Sequence, residues 1–133
     1  MAGSLIDLAK YRFECCNEAL IDAKLMYDNG RYKNTLNRAY YAIFYAIRAV
    51  NALDDFDSSK HSGVIAFFNQ HYVKEGIFPK EVSKIIKLAS ENRERADYLD
   101  FFIASKKDAE EQLQRAELFK EYVEEYLKNK NLL

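Results

Sequence analysis

Four glycines and one proline are all that 133 residues contain of the two strongest chain breakers. A fold of many short strands draws on Gly and Pro at every tight turn, whereas long helices keep both out of their interiors. The scarcity therefore predicts a few long helices joined by short connections.

Hydrophobic period and capping residues place five of them. The first spans about residues 4–27, with Ser4 as cap and Asp7 in its first turn. Its apolar stripe is Ala9, Phe13, Cys16, Leu20, Ala23 and Tyr27, and Asn29-Gly30 stops it. The second spans about residues 31–53 with a core stripe of Leu36, Tyr40, Ile43, Ile47 and Val50. A polar turn over 54–59 offers Ser58 or Ser59 as cap for a third helix over about 60–75, ended by Gly76. Pro79 suits the first turn of a fourth, over about 79–95, that buries Val82, Ile85, Ile86 and Ala89. The apolar stretch 97–103 reads as a packed connection. Ser105, with Asp108 three residues on, caps a last helix to about residue 128, where Ala109, Leu113, Ala116, Phe119, Val123 and Leu127 face inward. Short connections imply antiparallel neighbours, so the expectation is an all-α, up-and-down antiparallel bundle of four to five helices, with residues 1–133 as one domain.

Composition narrows the function classes. A hydrophobic fraction of 49% and a charged fraction of 31% describe a globular chain. A net charge of −1 argues against a uniformly cationic nucleic-acid binder but allows a local basic patch. Ten tyrosines exceed what a core needs, because each buried phenol must find a partner. Cys15 and Cys16 are adjacent, about 100° apart on a helix, which suits neither a disulfide nor a shared metal site. No His/Cys cluster has metal-site spacing, and neither a metal nor a cofactor is expected. No apolar run approaches the roughly 20 residues that span a bilayer, and the N-terminus does not read as a signal peptide, so a cytoplasmic location is expected.

The chemistry concentrates on the second helix. Asn34, Arg38, Tyr41, Tyr45 and Arg48 recur at spacings of four and three and share one face. Planar cations and aromatic platforms on one stripe can hold phosphate and stack bases. Tyr and Arg are equally favoured at helix–helix or dimer interfaces, and the two readings are compatible. His61 and His71 are the two histidines. His61 opens the third helix, where a cation is disfavoured, so a neutral imidazole in local hydrogen bonds is the simpler reading. An antiparallel hairpin about the 54–59 turn sets His71 near residue 42, one turn from Arg38, and sets His61 nearer Arg48. His71 is thereby nominated to join the Arg38 face, although a purely structural histidine is the simpler assignment. No phosphate-binding loop, nucleophile elbow or carboxylate pair is present.

The run from Asn37 to Ala46 (Asn-Arg-Ala-Tyr-Tyr-Ala-Ile-Phe-Tyr-Ala), Ser59-Lys60-His61-Ser62-Gly63-Val64-Ile65 with Phe68, and Arg95-Ala96-Asp97-Tyr98 resemble the HEPN superfamily over nearly the whole chain. The resemblance implies a helical bundle that often dimerises, is commonly partnered in bacteria and archaea by a minimal nucleotidyltransferase, frequently as a toxin–antitoxin pair, and in many members cleaves RNA without metal. The family signature is an arginine followed after four to six residues by a histidine. The arginine maps to Arg38, and the histidine position maps to Tyr45. Tyrosine, with an ordinary pKa near 10, is a weak base at neutral pH. The expected function is therefore an RNA- or nucleotide-binding module, homodimeric and paired with a nucleotidyltransferase. Its ligand contacts are Asn34, Arg38, Tyr41, Arg48 and His61. The alternatives are a metal-independent endoribonuclease using Arg38 with Tyr45 or a nearby histidine, His71 or His61, and a purely structural dimerisation bundle.

Overall fold

The computed structural model describes residues 2–133. Its helices are α1 (Ala2–Asp28), α2 (Tyr32–Ala52), α3 (His61–Phe68), α4 (Glu81–Tyr98) and α5 (Lys106–Asn129), in an all-α bundle. α1 is already helical ahead of Ser4, so that residue is not its cap. At its other end Gly30 takes φ +73°, a left-handed conformation that costs glycine little, and the Arg31 amide donates to the Met26 carbonyl at 2.8 Å. That tight turn lays α2 back along α1.

α2 is the central helix. Leu36, Ala39, Tyr40, Ala42, Ile43, Ala46, Ile47, Ala49 and Val50 are all buried, and α2 packs against each of the other four helices. Its pairing with α1 is the most extensive in the molecule. Both helices bury several small residues: Ala39, Ala42, Ala46 and Ala49 on α2, and Ala9, Cys16, Ala19 and Ala23 on α1. Small side chains let backbones approach closely. α5 closes the other side with the inward set expected for it, and the Ser105 hydroxyl accepts from the Asp108 amide at 3.0 Å.

Three connections depart from the expectation. The third helix stays α-helical only to Phe68 and continues as a π-helical turn over Asn69–Val73. Ser58 does not cap it conventionally; its hydroxyl accepts from the Lys60 amide at 3.2 Å. The 97–103 stretch packs little beyond the Asp97 contacts and a half-buried Phe102. Phe101 is 99% and Ile103 87% exposed, and Phe101 sits at φ +61°. Apolar composition marked it for burial, but α5 starts beyond it and nothing covers it within the chain.

The third departure matters most for function. Residues 53–60 are not a tight hairpin turn but a leg that runs back along α2. Asp57 meets Arg48, and His61 meets Tyr40 and Phe44, so number falls along α2 as it rises along the leg. α3 then sets out again in roughly the direction of α2. The Asn51 amide nitrogen donates to the Val64 carbonyl, and the Tyr72 hydroxyl donates to Asp54. The antiparallel register between α2 and α3 is therefore not the one adopted.

Candidate functional site

The returning leg is fastened at Asp57. Its carboxylate accepts from Arg12 of α1 at 3.0 Å and from Arg48 of α2 at 2.8 Å, while its other oxygen takes the Ser58 amide. Partial burial pushes this carboxyl up, but the Arg48 hydrogen bond, the Ser58 amide and the two arginine charges outweigh it, so Asp57 lies below its usual pKa. Gly63 completes the fit, because a Cβ there would stand 2.7 Å from the Ser58 hydroxyl oxygen.

This arrangement delivers His61 onto the aromatic surface of α2. Its ring stacks on Phe44 at 4.1 Å, meets Tyr41 edge-on at 5.9 Å, and brings Nδ1 to 2.9 Å from the Tyr40 hydroxyl. The phenol donates when Nδ1 is bare, and the imidazole donates when Nδ1 carries the proton. Burial, then the charges of Arg93 and Arg48, lower the pKa of His61, so the ring is neutral at pH 7. Burial raises that of Tyr40, which keeps its proton.

Arg93 of α4 joins this group. Its guanidinium lies 4.6 Å from the Tyr40 ring centre and 5.9 Å from that of Tyr41. It stands 3.7 Å from Asp97, whose carboxylate also accepts from Asn37. Arg38 lies over Tyr41 at 5.0 Å and donates to the Asn37 side-chain oxygen from Nε and Nη2. Among the described residues Arg38 has no ion-pair partner, whereas Arg12, Arg48 and Arg93 each have a carboxylate.

The residues expected at the site thus divide. Arg38, Tyr41 and His61 come together. Tyr45 is half-buried beside Tyr41, ring centres 6.1 Å apart. Asn34 is exposed at the start of the stripe, and Arg48 is bound to Asp57. His71 lies with the other aromatics of its own element, 4.2 Å from Phe67, which in turn stacks on Phe56. No contact joins it to Arg38, Tyr40 or Tyr41. The returning leg is the reason, since it carries His61 to the position that an antiparallel hairpin gives His71.

Arg93 and Tyr40 belong to the site and were not singled out as site residues from the sequence. Arg93 left a signal: Val82, Ile86, Ala89, Arg93 and Ala96 recur at four and three, which puts a charged residue in the middle of α4's buried stripe. Tyr40 left none, because a tyrosine on a core stripe reads as core.

The central helix thus presents an arginine without an ion-pair partner among the described residues, lying over a tyrosine and flanked by a neutral histidine: a cationic–aromatic surface. The HEPN domain family model matches residues 9–126, and the chain belongs to that family. It is 35% identical over 112 residues to a Thermotoga maritima protein named "UPF0332 protein", covering 84% of this chain and 85% of that one. It is 32% identical over 115 residues to a Methanocaldococcus jannaschii protein named "Putative toxin", covering 86% and 85%. A second protein of that name and organism is 28% identical over 120 residues, covering 90% and 82%. Among the described residues no helix is long and apolar enough to cross a membrane, and no group of His, Cys, Asp and Glu gathers as metal ligands do.

Proposed function

We propose that this chain is an RNA- or nucleotide-binding HEPN module that works with a minimal nucleotidyltransferase in a toxin–antitoxin-like pair, and that its binding face is centred on Arg38 and Tyr41. The observation that carries the reading is the state of Arg38. Its neighbours Asn37 and Tyr41 orient the guanidinium without neutralising it, so its charge stays available to a phosphate. Tyr41 adds a face on which a base can stack. The toxin-named relatives support the pairing.

Homodimerisation belongs to the same proposal. A two-fold contact sets the same patch of each copy against its partner. Because Arg48 is tied to Asp57, the free part of the α2 stripe is its Asn34–Tyr41 half, and the ligand face at Arg38 and Tyr41 then straddles the contact between the two copies. Sedimentation at micromolar concentration tests this, and a strict monomer contradicts it.

A metal-independent endoribonuclease is the second reading, favoured by one observation. His61 is a neutral imidazole against Tyr41, the ring that also carries Arg38 and Arg93. A neutral imidazole can take a proton from a ribose hydroxyl while arginine holds the phosphate. Single-stranded RNA binding followed by fluorescence anisotropy, and cleavage followed in EDTA, test both readings. Arg38→Ala weakens binding by about tenfold or more, the loss of one charge-assisted contact. RNA affinity unchanged in Arg38→Ala removes this face as the binding site.

A further inference from the structure

Beside the Arg38–Tyr41 face a cleft of 630 Å³ opens between α3 and α4, in the size range of small-molecule sites. Tyr40, His61 and Arg93 stand at one end, so it is continuous with the face already described. Ile65 and Ile86 supply an apolar floor, with Ala66 at the rim. Ser62, Ser83 and Ser90 place hydroxyls along the walls.

Charge decides what such a cleft suits. Lys87 and Arg93 line it, and so do Glu91 and Glu94, while His61 is neutral. The lining carries no net charge, which disfavours a polyphosphate or a run of backbone phosphates. Apolar floor, hydroxyl walls and neutrality match a nucleobase, flat on two faces and polar around its rim. Arg93, which lines the cleft, has a buried Nε that lacks an acceptor among the described residues. Arg93 lies over the same Tyr41 ring as Arg38, so a phosphate held at Arg38 has its base at the mouth of the cleft.

We propose that the α3–α4 cleft is a nucleobase pocket, seating one base of the nucleotide or RNA strand whose phosphate lies at Arg38. The inference rests on the nucleotide-binding reading and adds a base-dependent subsite to it. A planar base cannot be replaced there by sugar and phosphate alone.

Calorimetry with adenosine 5′-monophosphate against ribose 5-phosphate measures the contribution of the base. The unaltered protein prefers the nucleotide by about tenfold or more, the margin given by burying one face of a base on aliphatic side chains. Ala66→Trp fills the cleft from an exposed position, so the fold tolerates it, and the preference falls to about twofold or less. Arg38→Ala weakens both ligands together and keeps their ratio. Amide NMR shifts at Ala66 and Ser90 in the unaltered protein, induced by the nucleotide and not by ribose 5-phosphate, give the same answer without a variant. Equal affinity for the two ligands, a preference that survives Ala66→Trp, or no binding of either overturns the pocket. RNA binding that depends on Arg38 but not on Ala66→Trp overturns the pocket alone, and loss of all RNA and nucleotide affinity in the unaltered protein overturns the function it rests on.

Discussion

Asp57→Ala removes one carboxylate that serves two guanidiniums, and the structure gives the scale of the loss. The Arg48 arm is short at 2.8 Å, but the Asp57 side chain is 45% exposed and that of Arg48 28% exposed. An ion pair so open to water contributes about 0.5 kcal/mol. Arg12 is different, because its side chain is only 11% exposed. A charge-assisted bond from a largely buried guanidinium is worth about 1.5 kcal/mol, and the variant leaves Arg12 beside Arg48 with like charges uncompensated. The bond from Arg12 to the Arg48 carbonyl, 3.2 Å, survives and caps the damage. The sum is about 2 kcal/mol, or about 7 °C in Tm for a chain of this size. Because Asp57 fastens the leg that sets His61 on Tyr40, the same variant also lowers RNA affinity without touching Arg38. Calorimetric melting of Asp57→Ala, Arg12→Ala and the double variant isolates the coupling. A Tm shift below about 2 °C, or losses that simply add, refutes the clamp and makes the two bonds incidental surface contacts.

Acid acts through His61. Its folded pKa is depressed, so its neutral form contributes stability that is present above about pH 6.5, the unfolded value, and is lost as pH falls through the folded value. Urea midpoints therefore drop as pH falls below about 6.5, and His61→Asn flattens that slope; an unchanged slope contradicts it. Tyr45→His restores the histidine of the family signature about two turns from Arg38 on the same helix face, and is expected to raise RNA cleavage in EDTA, whereas Tyr45→Phe leaves affinity nearly unchanged; cleavage equal in all three forms excludes position 45 from catalysis. Phe101→Asn exchanges a fully exposed ring at φ +61° for a residue that tolerates that backbone, so Tm rises by about 1–3 °C. A fall in Tm shows instead that the ring has a covering partner in the assembled state.

Helix number and helix faces were legible in the sequence alone, together with the stop of α1 and the cap of α5, whereas the caps expected at Ser4 and Ser58 were not adopted. Local rules set them: Gly30 stops α1, Ser105 caps α5, and the four-and-three spacings name the buried residues of α2, α4 and α5. The stripe of Arg38 and Tyr41 was legible for the same reason, since residues three and four apart on one helix are neighbours whatever the rest of the chain does. Which histidine meets that stripe was not. It depends on the course of residues 53–60, and that course is set by a carboxylate at 57 finding arginines 45 and nine residues away in sequence, a pairing no local pattern encodes. Arg93 reaches Tyr40 only because α4 packs on α2, and the 97–103 stretch is exposed only because no helix lies over it. Periodicity decides which side of a helix is apolar; the packing of whole helices, through contacts distant in sequence, decides which polar groups meet.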